Sequence, residues 1–409
     1  MVSRVTNIML QNTLLSNLSM NLGRMDKLQN QMSSGRKFGH ISDDPSALIY
    51  GQAARNKLAR LSHYQGVVET AQSWLTQAEA GVMELNKVVG AIYEEVVSAG
   101  SVKTDSDKQN LAKVVKQLQD HYLDTLNTAY GDRFVFGGYN TPGDFADGQP
   151  RTIKPFTIVE VRDADGFIKP QLHFNGFNIT QFDGMPSKAF EDLFRVTDIS
   201  GLNNDGAKAA IYATSGLPLT PPDTFDDAAF LAEYGFTLDD AVTMNRLIND
   251  VLTFDVAAGV SMPATQNGID VVFFTARNEL GEPIVRNTFD LIQDVYIAIN
   301  GDTNFQPPAT EPKTPASTDE LTKLVGLMQN AQNHLLTRTA EIGGRQRRLE
   351  LLEARYAQDN LNYEGMRSDA EDADMAEVIM FLKMSETVYQ AALSAGARII
   401  QPTLMDFLR

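Results

Sequence analysis

The side chains that could carry catalysis or hold a metal are few in this chain and widely spaced. Its 409 residues include no cysteine and five histidines, and no histidine lies three to five positions from another. A zinc site or an activated nucleophile would need such ligands close together. Asp163 and Asp165 precede Gly166, but the later oxygen ligands of a calcium loop are missing. The sequence therefore predicts no catalytic, cofactor-binding or metal-binding residues.

Two short motifs have a structural interpretation instead. Asp43, Asp44 and Pro45 form a joint before a long helix, in which an aspartate caps the first turn and proline takes the first helical position. A second motif predicts a short strand followed by a tight turn. A phosphate cradle would need a longer glycine pattern that is absent here. The residues of this strand-turn motif are Arg133, Phe134, Phe136, Gly137 and Gly138.

Apolar residues recur at alternating steps of three and four along two long stretches. Fourteen of fifteen such positions are apolar from Ala47 to Val96, and eleven of fourteen from Leu321 to Met366. This repeat is typical of a coiled-coil seam, and at 1.5 Å per residue each helix would be about 70–75 Å long. A shorter stripe from Leu111 to Ala129 predicts a third helix. We expect the three helices to pack as a rod.

Each end of the chain carries a weaker version of the same repeat. A helix with one apolar stripe exposes that stripe unless another element covers it. We therefore expect the two terminal stripes to pair with each other or with a partner, and we predict that they act in assembly. The predicted assembly residues are Leu15, Leu18, Leu22 and Met25 in the first stripe and Val378, Leu382, Tyr389 and Ile399 in the second.

Proline and charge separate the middle of the chain from its flanks. Fourteen of sixteen prolines lie between Pro142 and Pro315, and residues 141–316 carry a net charge of −14 out of −17. Strand-like runs at 156–161, 167–174 and 269–275 alternate with helical patterns at 238–252 and 288–299. The predicted fold class is mainly α with an inserted α+β domain.

Three domains follow from this pattern. We predict a terminal helical assembly domain at 1–41 and 368–409, a helical rod domain at 42–145 and 317–367, and an acidic, proline-rich outer domain at 146–316. The acidity argues against nucleic-acid binding, which needs a basic face. No stretch approaches the ~18 apolar residues of a spanning helix, so we predict no membrane insertion. The N-terminus, interrupted by Arg4, Asn7 and Gln11, lacks the build of a cleavable secretory signal.

Several motifs in order along the chain resemble the bacterial flagellin superfamily. They are QMSSGR at 31–36, SDDP at 42–45, RFVFGG at 133–138, AEDADMAE at 370–377, YQAAL at 389–393 and LMDFL at 404–408. The resemblance implies a structural, non-enzymatic component of the extracellular flagellum. Terminal helices completed on assembly would line the inner tube, with the rod outside them and the inserted domain at the surface. Export through the flagellar type III channel, without signal cleavage, is also implied.

Within that superfamily, the Asp-Asp-Pro joint, the Glu-Asp-Ala-Asp run and the Asp-Phe-Leu ending favour a member that joins hook to filament. The implied partners are further copies in a ring, hook-associated protein 1 on the hook side, flagellin on the filament side and an export chaperone. One alternative is flagellin itself, the filament subunit. Another, of a different class, is a surface enzyme or adhesin that acts through residues 146–316.

Overall fold

A computed structural model describes residues 7–39, 43–101, 104–131, 133–138, 154–162, 168–217, 226–249, 251–300 and 318–400. They form two compact units, one from residues 1–65 and 353–409 and the other from residues 66–352. The predicted three-domain boundaries differ from this division and stay a prediction. His40, Ser42, Asp163, Asp165 and the LMDFL motif lie outside the described residues, as does the side chain of Ile399.

Five long helices dominate the chain, and the apolar repeats predicted each of them. They are α1 (Asn7–Ser34), α2 (Pro45–Ala99), α3 (Asp105–Leu126), α10 (Thr318–Glu371) and α11 (Met375–Ile400). From Ala54 to Val96 the predicted frame of α2 is buried except at Lys57 and Tyr64. Along α10 the buried positions include Met328, Leu335 and Ile342. The mainly helical fold class is therefore confirmed. No described helix combines the length and apolarity needed to span a bilayer.

The inserted region contains short strands and helices, and its described strands form small antiparallel sheets. The strand-turn motif begins with β1 (Ala129–Tyr130) and β2 (Arg133–Phe134). The strands that follow are β3 (Phe156–Arg162), β4 (Ile168–Phe174), β5 (Phe177–Asn178), β6 (Thr253–Ala257), β7 (Val260–Pro263), β8 (Phe273–Arg277) and β9 (Pro283–Asn287). The helices are α4 (Ser187–Phe190), α5 (Asn204–Ser215), α6 (Asp227–Tyr234), α7 (Leu238–Asn249), α8 (Gly268–Val272) and α9 (Thr288–Asn300), and α4 continues as a π-helical turn at Glu191–Val196.

One predicted strand is wrong in its first half. The run 269–275 begins in α8 and becomes strand β8 only at Phe273. The Asn267 side chain accepts a hydrogen bond from the Ile269 amide, 2.9 Å away, and so caps a helical turn. A short run of buried β-branched residues does not distinguish a helix from a strand. Here the Asn267 cap favours the helix.

The strand-turn motif lies at the centre of the second unit. The Phe136 ring is fully buried, and it packs so closely on Gly81 of α2 that a Cβ there would lie 2.8 Å from Cζ. The Phe136 carbonyl accepts a hydrogen bond from the Gly268 amide at 3.1 Å. The motif thus joins a long helix to the first turn of α8, and both glycines are needed for the close approach.

A partly buried histidine of α10 contacts the inserted segment. The His334 Nε2 atom lies 2.7 Å from the backbone oxygen of Asp270, and the Asp270 carboxylate is paired with Arg195 at 2.7 Å. Burial lowers the pKa of His334 to about 4, and nearby Arg338 and Arg195 act in the same direction. The imidazole is therefore neutral near pH 7.

We expect acid to destabilise this contact through His334. The unfolded chain takes up a proton near the ordinary pKa of 6.5, whereas the folded chain does so only near 4. Stability is therefore lost as the pH falls through this window, by about 3 kcal/mol in total. Urea unfolding at pH 7 and pH 4.5 should show a smaller loss for His334→Gln, which does not titrate. An equal loss in both proteins would contradict the assignment.

Candidate assembly site in the terminal helices

The two terminal helices of the first unit pack against each other in antiparallel directions. Leu14 of α1 lies against Gly396 of α11, where an added Cβ would come within 2.7 Å of the leucine. At the other end, Arg36 forms a backbone bridge with Asp372. Since one pair lies near both chain ends and the other near both joints, the helices run in opposite directions.

The contact face has the 3–4 spacing of a coiled coil. On α1 the partly buried residues include Leu14, Leu18, Asn21, Met25 and Leu28. On α11 Val378 is buried, and Leu382, Ser385, Tyr389 and Ala392 are partly buried. Of the predicted assembly residues, Leu18 and Met25 thus lie on this face with Val378, Leu382 and Tyr389. Leu15 and Leu22 are exposed. A step of one residue turns a helix by about 100°, so neighbouring positions lie on different flanks.

A second apolar flank on each helix stays uncovered in the single chain. On α11 this flank consists of Met380, Phe381, Met384 and Val388, all exposed, with Met384 at 57%. On α1 it consists of Leu15, at 60%, and Leu22. Exposed apolar side chains grouped on one flank are candidates for an interaction surface. The pair therefore has one face covered internally and others available to a partner.

The two joints of the first unit are hydrogen-bonded to each other. The Lys37 amide donates to the Glu371 carbonyl at 2.7 Å, and the Ala373 amide donates to the Gly35 carbonyl at 2.8 Å. The Glu371 carboxylate is buried against Gly51 of α2 and pairs with Arg55. We call these six residues, with the Arg36–Asp372 bridge, the clasp. It ties the start of α2 to the end of α10 and to both terminal helices.

The predicted joint residues lie next to the clasp. Asp44 Oδ1 accepts a hydrogen bond from the Ala47 amide at 3.0 Å, and Pro45 is the first residue of α2. The negative charge also suits the positive end of the helix dipole. Asp43 pairs with Lys27 of α1 at 3.2 Å. These three residues therefore position the start of α2 relative to α1.

Between Ala54 and Val96, the two positions of the α2 frame that are not buried make aromatic contacts. The Lys57 ammonium lies 5.0 Å from the centre of the Tyr363 ring, so the single polar residue of the frame makes a cation–π contact. Tyr64 stacks on Tyr356 with ring centres 6.4 Å apart, and burial raises the pKa of the Tyr356 hydroxyl. The α2 frame therefore makes contacts at these two positions as well, although the contacts there are aromatic and not aliphatic.

Replacing Arg55 by alanine is expected to loosen the clasp. The Glu371 carboxylate would keep its burial and lose its cation, at a cost of about 1–2 kcal/mol because Arg55 itself is partly exposed. Hydrogen exchange at the Lys37 and Ala373 amides should then quicken by about tenfold or more. Arg60→Ala, an exposed arginine on the same helix, is the matched control. Unchanged exchange in the Arg55 variant would refute the role of the pair.

Sequence reasoning missed the clasp and part of the contact face. Glu371 and Arg55 are far apart in the chain, and nothing local marks them as partners. Leu14, Leu28 and Gly396 were also not predicted as part of the contact face. Glycine at position 396 was the signal available in the sequence, because a residue without a side chain lets two helices approach closely. Among the described residues, no three histidine, aspartate or glutamate side chains are grouped to hold a metal ion.

The N-terminal part of the chain matches a known family model. Residues 5–141 match the sequence model of the bacterial flagellin N-terminal helical region. The chain therefore carries this helical region, and the predicted resemblance to the flagellin superfamily is confirmed.

Two curated relatives are named flagellar hook-associated protein 3. The Salmonella typhimurium protein is 26% identical over 150 residues, which are 36% of this chain and 47% of the relative. The Escherichia coli protein is 28% identical over 117 residues, 28% of this chain and 37% of the relative. The chain thus spans less than half the length of the curated relatives it matches. The crystal structure of flagellar hook-associated protein 3 from Legionella pneumophila has a TM-score of 0.44 at 12% identity, covering 78% of this chain and 97% of that one.

Proposed function

We propose that this chain is a structural component of the bacterial flagellum that joins the hook to the flagellin filament. In this role it assembles into a ring of copies, contacts hook-associated protein 1 on one side and flagellin on the other, and needs an export chaperone before assembly. It acts outside the cell, as a structural part of the flagellum. The observation that carries the proposal is the uncovered apolar flank of α1 and α11.

The geometry of the terminal pair supports assembly through these helices. Two antiparallel helices bury only one stripe on each, so Met384, Val388 and Leu22 remain in water in the single chain. Burying an apolar side chain of this size contributes about 1.5–3 kcal/mol. Repeated contacts of this kind around a ring would complete the burial of the terminal helices. The clasp would then hold α1 and α11 against the start of α2 and the end of α10.

A junction role is better supported than the filament subunit itself. The two curated relatives are hook-associated proteins by name, and the Asp-Asp-Pro joint favours the junction type. An enzyme or adhesin in the inserted region has no comparable support. The acidic charge of that region suits a solvent-facing domain.

Immunogold electron microscopy of intact cells tests the proposal, with antibody raised against the inserted region. We expect label in a narrow band where the hook meets the filament. Label along the whole filament would identify the chain as a filament subunit. Label elsewhere on the cell would exclude a flagellar role altogether. Cells lacking the gene are the control for antibody specificity.

A further inference from the structure

Among the described residues, strand β3 is paired with another strand along one edge only. It pairs with β4 from Phe156 opposite Phe174 to Arg162 opposite Ile168, and β4 pairs on its other side with β5. An edge strand offers a row of backbone donors and acceptors to any extended segment. The open edge of β3 can therefore pair with another strand. The hydrogen bonds already made along this edge determine which of its backbone N–H and C=O groups are available.

The hydrogen bonds at Phe156 show which groups point outward. Both its N–H and its C=O bond to the side-chain amide of Asn127, at 2.9 Å each. Because outward groups recur at every second residue, the N–H and C=O of Ile158, Glu160 and Arg162 point the same way. No described residue bonds to these backbone groups. Asn127 thus closes the edge at one end and leaves the rest open.

The opposite edge of the same hairpin is closed to pairing. On β4, the Leu172 amide donates to Thr180 Oγ1 and the Leu172 carbonyl accepts from the Ile179 amide. The next outward position is Pro170, which has no N–H to donate. Proline on an edge is a usual protection against strand addition. The β3 edge has neither proline nor bulge in its register with β4.

The exposed side chains of β3 favour one particular partner. Val159 and Val161 are 41% and 38% exposed on one face, and Glu160 and Arg162 are exposed on the other. Consider β3 paired with its own copy in antiparallel direction. Three registers of this pair use the outward N–H and C=O groups of β3 and keep the hydrogen bonds between Asn127 and Phe156. They place Glu160 opposite Glu160, Arg162 opposite Arg162, or Glu160 opposite Arg162. Only the last pairs opposite charges, and it does so twice.

We propose that β3 pairs with β3 of a second copy of this chain, with Glu160 opposite Arg162 and Val161 opposite Val161. The contact adds a strand to each hairpin and covers the two valines between the copies. It is separate from the terminal helices and does not depend on the proposed junction role. An isolated two-stranded hairpin is marginal in water, whereas a sheet of more strands is not. The pairing would therefore stabilise the distal part of the hairpin as well.

Single-cysteine variants of the full chain test this register, because the native chain has no cysteine to interfere. Val161→Cys places two thiols directly opposite each other, with Cα atoms about 4.5 Å apart, within disulfide range. Val159→Cys, equally exposed, places them about 13 Å apart along the strands. Under mild oxidation with diamide we expect about tenfold more covalent dimer from Val161→Cys, read on a non-reducing gel. Equal cross-linking, or none from Val161→Cys, overturns the proposal.

Charge exchange in the Val161→Cys background provides the second measurement. Glu160→Arg puts like charges opposite each other and should reduce dimer formation about tenfold. Adding Arg162→Glu restores opposite charges in the same register and should restore the dimer. A double variant that stays monomeric, while circular dichroism shows it folded, would also overturn the register.

Discussion

Replacing Met384 by aspartate is expected to abolish incorporation into flagella while leaving the free chain as stable as the wild type. Met384 is 57% exposed on the uncovered flank of α11, so the single chain loses little when it becomes polar. In an assembly that buries this flank, each copy would carry an unpaired buried carboxylate, which costs several kcal/mol. Motility and the amount of this protein in purified hook–filament preparations measure the effect.

Two further variants make this result specific. Leu382→Asp places the charge on the face that already contacts α1, so both incorporation and the pairing of α1 with α11 should suffer. Gln390→Asp adds the same charge to an exposed polar position of α11 and should be tolerated. If Met384→Asp assembles normally, the uncovered flank is not the assembly surface, and the proposal for these helices fails.

Replacing Phe136 by alanine should destabilise the second unit by about 3–5 kcal/mol. The ring is fully buried, touches Gly81, and belongs to the turn whose carbonyl holds the Gly268 amide. A Cβ at Gly81 or Gly268 would clash with its neighbours, so the backbone around Phe136 is already closely packed. This backbone has little freedom to move into the cavity that the alanine leaves. Urea unfolding followed by circular dichroism measures the loss.

The matched control for Phe136 is Leu280→Ala. Leu280 is a large apolar residue of the same unit but is 84% exposed in the β8–β9 turn. Its truncation should change stability by less than about 0.5 kcal/mol. A loss below about 1 kcal/mol for Phe136→Ala would mean that the strand-turn motif does not hold the long helix to the inserted segment.

The local sequence pattern was sufficient to predict the long helices and the resemblance to the flagellin superfamily. The 3–4 repeat located α2 and α10 to within a few residues, because helix-long periodicity repeats the same signal many times. In the structure α2 begins at Pro45 and Asp44 caps its first turn, an arrangement that depends on neighbouring residues alone. Short elements are harder to predict from the sequence. The run 269–275 divides between α8 and β8. Few residues carry the periodic pattern there, and the single helix cap at Asn267 changes the secondary structure.

By itself, then, the sequence determined the long helices, their apolar stripes, the acidic inserted region and the resemblance to the flagellin N-terminal helical region. The tertiary structure alone decided which flank of each terminal stripe is covered, since adjacent heptad positions are equally apolar and only the partner helix selects between them. It also decided the Glu371–Arg55 contact, the packing of Phe136 on Gly81, and the open edge of β3. These depend on residues far apart in the chain, whose approach is set by the folding of the whole unit and not by any local pattern.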